Sequence, residues 1–319
     1  MLDQLKGLHI EPTNMCTLKC PRCSRTEFIE RFPKKWTNQN LNLEHLKSFL
    51  DINLKNKIIL LNGTYGDPIY YPKFNEMIKF FKQQGSNIVI HTNGSYKEKD
   101  WWIELLDMLD NKDVINFSID GTPQNFTNYR INGDWESIET AIKLAVKSQV
   151  TTYWKHIVFS YNEDTIDQAE QTSKELGIDK FMINNGDRWL ENDWLKPKNL
   201  DHTHTISFTE ITRSGAGYTL NRRSENKKKW YANNKQSIQI DADCKKTNNS
   251  HYISAWGYYL PCCWMSEHNF YYKTDFFKDR DSYDISKTTL SEILTNPAKT
   301  FYNNIESTRL DACTFNCGK

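Results

Sequence analysis

The stretch MCTLKCPRC, residues 15–23, places Cys16, Cys20 and Cys23 in a CxxxCxxC pattern. Three thiolates on one tight loop suit three corners of an iron–sulfur cube. The fourth iron then has no protein ligand nearby in sequence, and an iron with an open position can bind and activate a small molecule. A zinc knuckle or a chance cluster of thiols is the alternative. Structural zinc loops, however, more often show CxxC pairs and a complete set of four ligands.

Composition narrows the classes of protein that remain. The chain has 319 residues, of which 38% are hydrophobic, which is enough for one large domain or for a core with a smaller appendage. A net charge of +1 predicts no nucleic-acid partner and no membrane-surface partner. No apolar run approaches a membrane span, and residues 1–6 lack the apolar stretch of a signal peptide. Eight cysteines without an export signal predict a reducing, cytoplasmic location, where clustered thiols are more often metal ligands than disulfides.

Hydrophobic periodicity predicts strands that alternate with helices over the first 184 residues. The predicted strands are 7–11, 57–61, 87–91, 114–119, 153–160 and 180–183. The predicted helices are 43–54, 74–84, 99–109, 137–148 and 164–176. This alternation is typical of a parallel barrel or a doubly wound sheet. Six strand–helix units are too few for a closed eight-stranded barrel, so we expect a partial (β/α)6 barrel of TIM type that is open on one side.

Unusual loops follow most of the predicted strands. They are the cysteine loop, the turn at residues 62–68, Thr92-Asn93-Gly94, the pair Ser118 and Asp120, and Asn162. In parallel α/β folds, the loops at the carboxyl ends of the strands build the site. We therefore expect these loops to converge on one mouth.

The regular pattern ends after Asn184, and a different kind of sequence begins near residue 238. We divide the chain into a core at 1–185, an irregular connection at 186–236 and a small C-terminal unit at 237–319. The C-terminal unit holds five cysteines among aromatic residues and turns: Cys244, Cys262, Cys263, Cys313 and Cys317. We expect bound metal to stabilise such a unit, because the burial of apolar side chains alone would not be sufficient.

The cysteine loop and the loops after it resemble the radical S-adenosylmethionine (radical SAM) enzymes. Tyr65-Gly66-Asp67-Pro68 is similar to the family's GEP turn, whose backbone receives the amino group of SAM. Thr92-Asn93-Gly94 matches a common ending of the third strand. Ser118-Ile119-Asp120-Gly121, followed by Arg130, resembles the segment that contacts the SAM ribose and carboxylate, and Asn162 matches a recurrent polar residue. The resemblance implies a [4Fe–4S] cluster with one open iron at Cys16, Cys20 and Cys23. It also implies SAM contacts at Tyr65, Gly66, Asp67, Asn93, Ser118, Asp120, Arg130 and Asn162.

Two positions depart from the family pattern. Arg22 stands before the third cysteine, where the family usually has an aromatic residue, and the acid of the turn is Asp67 rather than Glu. Neither change alters the physical requirement for three thiolates and a turn that exposes its backbone.

The C-terminal unit resembles the auxiliary-cluster extensions called SPASM and Twitch. Cys244 followed by Gly257-x4-Cys262 fits their entry signature, and five remaining cysteines match the single cluster of Twitch better than the two of SPASM. The resemblance implies an auxiliary [4Fe–4S] cluster at Cys244, Cys262, Cys313 and Cys317, with Cys263 left over. A zinc site with four cysteine ligands is the alternative.

The family's chemistry implies the function. One electron from the reduced cluster cleaves SAM to methionine and a 5′-deoxyadenosyl radical, which removes a hydrogen atom from the substrate. The partners implied are a substrate and an electron donor of flavodoxin or ferredoxin type. We expect an oxidoreductase or modifying enzyme that acts on a peptide or protein side chain. A small-molecule dehydrogenase or epimerase is the first alternative, and a non-catalytic iron–sulfur or zinc protein is the second. The catalytic acid or base is not assigned.

Overall fold

Strands and helices alternate through the core of this protein. The computed structural model describes residues 5–184, 193–198, 239–240, 251–268, 272, 274–296 and 310–317. The strands are β1 (Gly7–Ile10), β2 (Ile58–Leu61), β3 (Asn87–Thr92), β4 (Val114–Ser118), β5 (Thr151–Ile157), β6 (Lys180–Asn184), β7 (Tyr252–Ile253) and β8 (Tyr259–Leu260). The α-helices are α1 (Ser24–Arg31), α2 (Leu43–Phe49), α3 (Phe74–Gln83), α4 (Lys99–Leu106), α5 (Trp135–Ala145), α6 (Ile166–Glu175), α7 (Asp275–Lys278), α8 (Leu290–Thr295) and α9 (Asp311–Cys317). Of the helices in these ranges, none has the length and apolar character that crossing a membrane requires.

The strands form one sheet in the order β6-β5-β4-β3-β2-β1-β7-β8. The six strands of the core are parallel, and each pairs with the strand that follows it in the chain. The prediction of a partial TIM-type barrel with six strands is confirmed.

The two faces of the sheet differ in chemistry. On one face, Ile10, Leu61, Ile90 and Ile115 lie in register and have no exposed surface. The helices bury this face. Side chains alternate along a strand, so the next row, which includes the register pair His91–Asn116, lies on the opposite face. A closed barrel fills that face with branched apolar side chains. Here the row Leu60–Val89–Val114 is of that kind, whereas the row nearer the carboxyl ends of the strands is polar and suits a lumen that receives a polar ligand.

The sequence prediction missed helix α1, strands β7 and β8, and the C-terminal helices α7, α8 and α9. Helix α1 buries only Phe28, so its sequence carries almost no helical periodicity. Strands β7 and β8 have two residues each, too few for an alternating pattern. Strand β7 pairs in parallel with β1, and β8 pairs antiparallel with β7, so the C-terminal part of the chain extends the sheet beyond β1.

Some predicted boundaries shift because side chains intervene. The helix predicted over 43–54 begins as expected, with the Asn42 side chain accepting hydrogen bonds from the N–H groups of Glu44 and His45. The helix ends at Phe49. Leu50 and Leu54 are buried nevertheless, so the apolar pattern correctly predicted burial at these two positions but not the helix. The strand predicted over 153–160 is shorter because the Asn162 side chain binds its last peptide groups.

His156 on β5 is a buried titratable group on the apolar face. The side chain has no exposed surface, and its ring lies 5.5 Å from the ring of Phe181. Neither ring nitrogen has a hydrogen-bond partner among the described residues. Burial lowers the pKa of His156 from 6.5 to about 4, so the folded protein keeps this imidazole neutral.

We expect His156→Phe to make the protein more resistant to acid. Between pH 6.5 and about 4 the unfolded chain binds a proton at His156 that the folded chain does not, so wild-type stability falls as pH falls through this range. The phenylalanine removes this loss. The free energy of unfolding of the variant should therefore gain roughly 3 kcal/mol on the wild type between pH 7 and pH 4. Urea titrations across that range measure the difference. The exposed His45→Phe is the matched control, and parallel curves for wild type and His156→Phe would contradict the assignment.

Candidate cofactor site

The cysteine loop follows directly from β1 at the carboxyl edge of the sheet. Cys20 is buried, and Cys16 and Cys23 are half-buried. All three belong to one small cluster with the apolar or aromatic residues Leu18, Tyr129, Phe159, Leu195, Ile157 and Tyr161. The loop therefore gathers its three thiols in a setting that is largely shielded from water.

The three thiols have the chemistry that an iron–sulfur cube requires of its ligands. Burial raises the pKa of the Cys16 thiol above its ordinary value, and the Asp67 carboxylate and the other two thiols raise it further. Thiols packed together in this way become stable thiolates when a cationic cluster binds them. Among the described residues, no three Cys, His, Asp or Glu side chains are arranged to hold a metal ion. In an iron–sulfur cube each thiolate binds a different iron, so such convergence is not required.

Arg22 has a structural role that the sequence did not reveal. Its backbone is in the left-handed region with φ of 59°, and its Nε donates to Asp193 Oδ2 at 2.8 Å. The ion pair ties residues 193–198 to the cysteine loop. Leu195 in that segment packs in the cysteine cluster, and its carbonyl accepts a hydrogen bond from the Ser160 N–H. Arg22, which stands where the family usually has an aromatic residue, thus holds residues 193–198 against the cysteine loop.

Asp67 joins the turn after β2 to the loop after β3. Its Oδ2 accepts from the Asn93 N–H at 2.6 Å, from the Asn93 side chain and from Thr92 Oγ1 at 3.1 Å. Burial raises the pKa of Asp67 to about 6, and these hydrogen bonds oppose the rise. The Asn93 amide also donates to Cys16 Sγ at 3.7 Å. The side chain of Asp67 is thus engaged with the protein, which leaves the backbone of the turn to meet a ligand.

Glu11, at the end of β1, was missed by the sequence analysis. The side chain has no exposed surface, and its Oε1 accepts from the N–H groups of Tyr65 and Gly66 at 2.7 and 3.2 Å. Its Oε2 accepts from the Tyr252 hydroxyl at 2.6 Å. Burial raises the pKa of Glu11, and these three hydrogen bonds oppose the rise. An acid at the end of a predicted strand was the only available signal.

Asp120 and Arg130 form a buried ion pair at the end of β4. Arg130 Nε lies 2.7 Å from Asp120 Oδ2, and the carboxylate has no exposed surface. Burial alone would lower the pKa of Arg130, but the Asp120 carboxylate raises it, so the guanidinium stays charged. Asp120 Oδ1 also accepts from the Ile157 N–H at 2.7 Å. Ser118 lies at the last position of β4 in register with Lys155, on the polar face.

Asn162 closes the loop after β5. Its Oδ1 accepts from the Phe159 N–H at 2.7 Å, and its Nδ2 donates to the Ile157 carbonyl at 3.0 Å. One donor and one acceptor of the amide are therefore used inside the loop. A ligand contact at Asn162 would have to use the second N–H or the second lone pair.

The C-terminal cysteines lie at the edge of the main apolar core. Cys313 and Cys317 are one helical turn apart on α9, and Cys313 is buried. Cys262 is extended, with φ of −155° and ψ of 143°, and Cys263 begins a 3-10 helix that ends at Ser266. Helix α9 packs against this 3-10 helix. The fourth predicted ligand, Cys244, lies outside the described residues.

The same 3-10 helix contacts the turn after β2. Ser266 Oγ lies 2.6 Å from Thr64 Oγ1, and its carbonyl accepts from the Tyr65 hydroxyl at 3.0 Å. Ser266 Oγ also donates to the Cys263 carbonyl at 2.7 Å. The 3-10 helix Cys263–Ser266 therefore connects Cys262 and Cys263 to the predicted SAM turn, at the expected mouth of the sheet.

A family model for the Radical SAM superfamily matches residues 10–176, which span the strands and loops that carry this site. The chain belongs to the radical SAM superfamily. Membership implies a [4Fe–4S] cluster and SAM as cofactors, and the cysteine loop described above fits the cluster.

Two curated relatives each match part of this radical SAM protein. The antilisterial bacteriocin subtilosin biosynthesis protein AlbA of Bacillus subtilis (strain 168) is 24% identical over 176 residues, 54% of this chain and 38% of AlbA. The tungsten-containing aldehyde ferredoxin oxidoreductase cofactor-modifying protein of Pyrococcus furiosus is 26% identical over 123 residues, 37% of this chain and 32% of that protein. Each match thus covers about a third of the relative's own length.

Among solved structures, native anSMEcpe with bound AdoMet superposes with a TM-score of 0.55 and 15% identity. The superposition covers 98% of this chain and 88% of anSMEcpe. At that identity the likeness concerns the fold, and the fold of this radical SAM protein agrees with it.

We expect Asp67→Asn to destabilise the protein by about 1–3 kcal/mol, because Oδ1 accepts from the Ile69 N–H and Oδ2 from Asn93, so the NH2 of the amide would face an N–H donor in either orientation. Urea unfolding of the metal-free protein at pH 8 measures the loss. Asp107→Asn, which removes an exposed carboxylate at the end of α4, is the control and should change the free energy of unfolding by less than about 0.5 kcal/mol. Equal effects of the two substitutions would show that Asp67 does not hold the Asn93 loop.

Proposed function

We propose that this radical SAM protein cleaves SAM reductively and removes a hydrogen atom from a side chain of a peptide or protein substrate. The observation that carries the substrate class is an aromatic cavity beside the predicted SAM turn. A relative named for bacteriocin biosynthesis, AlbA, supports the same class.

The cavity has a volume of about 210 Å³. Six aromatic residues line it: Phe28, Tyr65, Trp256, Tyr258, Tyr272 and Phe277. Sites for whole small-molecule ligands usually have volumes of about 300–1,000 Å³, so this cavity suits a single large side chain. A peptide can insert one residue there while the rest of it stays outside, whereas a metabolite of ordinary ligand size would not fit inside it whole.

The position of the cavity supports a role close to the chemistry. Phe28 lies on α1, which starts directly after Cys23, and Tyr65 is part of the turn predicted to hold SAM. The two rings are 5.9 Å apart, and Trp256 lies 5.5 Å from Tyr65 at 88°. Edge-to-face partners of this kind favour an aromatic or other flat guest. Arg280 at the rim provides a positive charge for a carboxylate next to that guest.

In this proposal the protein groups bind, orient and exclude water. Carbonyl oxygens of the turn at Tyr65, Gly66 and Asp67 would accept hydrogen bonds from the SAM ammonium, and Asn93 would hold the turn next to Cys16. Ser118, Asp120, Arg130 and Asn162 would surround the ribose and the carboxylate. When bound and reduced, the cluster supplies the electron that breaks a carbon–sulfur bond of SAM. The apolar residues around the cysteine loop exclude water, which protects reactive species from side reactions.

The proposal extends to the C-terminal region. We infer a radical SAM core at 1–185, a connection at 186–236 and a Twitch-like domain at 237–319. Four cysteines of that domain, Cys244, Cys262, Cys313 and Cys317, would hold an auxiliary [4Fe–4S] cluster, and Cys263 would remain outside it. The observed i, i+4 spacing of Cys313 and Cys317 on α9 lets both thiols point to one side. A flavodoxin or ferredoxin would supply the electron for SAM cleavage.

Mass spectrometry of the reconstituted enzyme tests the function. With dithionite, SAM and a peptide library, we expect 5′-deoxyadenosine together with a mass change in peptides that carry an aromatic residue. Replacing Cys16, Cys20 and Cys23 by Ala should abolish both products. Trp256→Ala should reduce peptide modification while uncoupled SAM cleavage continues. Cleavage by the triple variant would refute the cluster assignment, and oxidation of small molecules but of no peptide would favour a dehydrogenase.

Iron analysis tests the auxiliary site. Two cubes predict about eight irons per chain. Cys262 is extended and Cys263 begins the 3-10 helix, so the two side chains leave the backbone in different directions, and we expect only one of them to reach the cube. Cys263→Ser should keep the full iron content, whereas Cys262→Ser should lose about half of it or fail to fold. The opposite result would assign the ligand role to Cys263.

A further inference from the structure

The turn predicted to bind SAM rests on a buried carboxylate. Gly66 lies so close to residue 13 that a Cβ built on it would be 1.9 Å from the Thr13 carbonyl oxygen. A Cβ on Gly63 would be 2.7 Å from Glu11 Oε1. Both glycines are therefore required by close approach, and Glu11 lies directly beneath the turn that they form.

Three donors converge on that carboxylate. The N–H groups of Tyr65 and Gly66 bind one oxygen, and the Tyr252 hydroxyl binds the other. A carboxylate that accepts three hydrogen bonds and donates none is most stable in the ionised form. Tyr252 has no exposed surface, and its ring packs edge-on against His9 at 4.8 Å, so the hydroxyl is held in place.

This contact polarises the peptide groups of the turn. The N–H of Gly66 belongs to the same peptide group as the carbonyl of Tyr65, and the N–H of Tyr65 belongs to that of Thr64. Hydrogen bonds in a chain strengthen one another, so an amide that donates to a carboxylate has a carbonyl that accepts more strongly. These carbonyls lie on the turn to which the ammonium of SAM is assigned, and the negative charge of Glu11 lies behind them.

We propose that Glu11 and Tyr252 are positioning residues for SAM: Glu11 fixes and polarises the turn at 64–66, and Tyr252 on β7 holds Glu11 in place. The inference rests on the assignment of this turn to the SAM amino group in the proposed function. It also links the first strand of the sheet to a residue of the C-terminal region, because Tyr252 is 241 residues from Glu11 in sequence. SAM affinity then depends on the docking of β7.

Hydrogen exchange of the metal-free protein tests the contact itself. Glu11→Gln keeps the shape of the side chain and removes the charge, and Tyr252→Phe removes one hydroxyl. Both should speed exchange of the amides of Tyr65 and Gly66. Tyr259→Phe is the matched control, because Tyr259 is equally buried on the neighbouring strand and its hydroxyl contacts His251 instead. It should leave those two amides unchanged while lowering the thermal midpoint to a similar degree.

Ligand affinity of the reconstituted, unreduced holoenzyme tests the role toward SAM. Glu11→Gln and Tyr252→Phe should each weaken SAM and S-adenosylhomocysteine by about fivefold to tenfold, because both ligands carry the amino group. Affinity for 5′-methylthioadenosine, which lacks that group, should not change, and Tyr259→Phe should bind all three ligands like the wild type.

The proposal would be overturned by unchanged exchange at residues 65 and 66, or by an equal loss of affinity for all three ligands. An intact affinity for SAM alongside faster exchange would do the same, because the turn would then not serve SAM. Failure of the proposed function would give a different result, a wild-type enzyme that binds SAM and modifies no peptide. The hydrogen-exchange and affinity measurements would still test the role of Glu11 and Tyr252 in that case.

Discussion

Buried carboxylates at the carboxyl edge of the sheet are the constraint on which this site depends. Glu11, Asp67 and Asp120 are almost fully buried, and each accepts at least one hydrogen bond from a backbone N–H group of a neighbouring loop or, for Asp120, of the last residue of β5. An ionised group without such partners is too costly to bury, so each carboxylate forces its loop into one position. Together they fix the loops after β2, β3 and β5 relative to one another. The cysteine loop is held in the same frame, because Asn93 contacts both Asp67 and Cys16.

In this arrangement, the groups that hold the loops in place differ from the groups that contact the ligand. The side chains of Asp67, Asn162 and Arg130 are engaged largely with the protein, and the backbone of the turn after β2 is the part that we propose for contact with SAM. The geometry is thereby preorganised, and little conformational freedom remains to be lost when a ligand binds. A radical reaction gains in particular from this, because the reacting hydrogen must lie close to one carbon and no other.

The sequence was sufficient for the six core strands because each is a short apolar run bounded by polar or glycine-containing loops. The convergence of the loops followed from parallel topology alone. What could not be predicted depends on contacts between residues far apart in the chain. Glu11 meets Tyr252, and Arg22 meets Asp193, at separations of 241 and 171 residues. No local pattern encodes such pairs. The role of Asn162 in its own loop was missed for another reason, since an asparagine after a strand can bind either a ligand or its own backbone.

The parallel pairing of β7 with β1 has a consequence for the way this chain is made. Strand β1 precedes the other described strands in the chain, and its outer edge is paired only when residues 252 and 253 have followed. At about 5–20 residues per second, the 241 residues between Glu11 and Tyr252 take on the order of 10 to 50 seconds to synthesise. An unpaired strand edge is a template for pairing with other chains. The edge of β1 that β7 covers therefore stays unpaired for that interval, which leaves the incomplete chain more open to wrong strand pairing than a barrel whose first strand is covered by the strand that follows it.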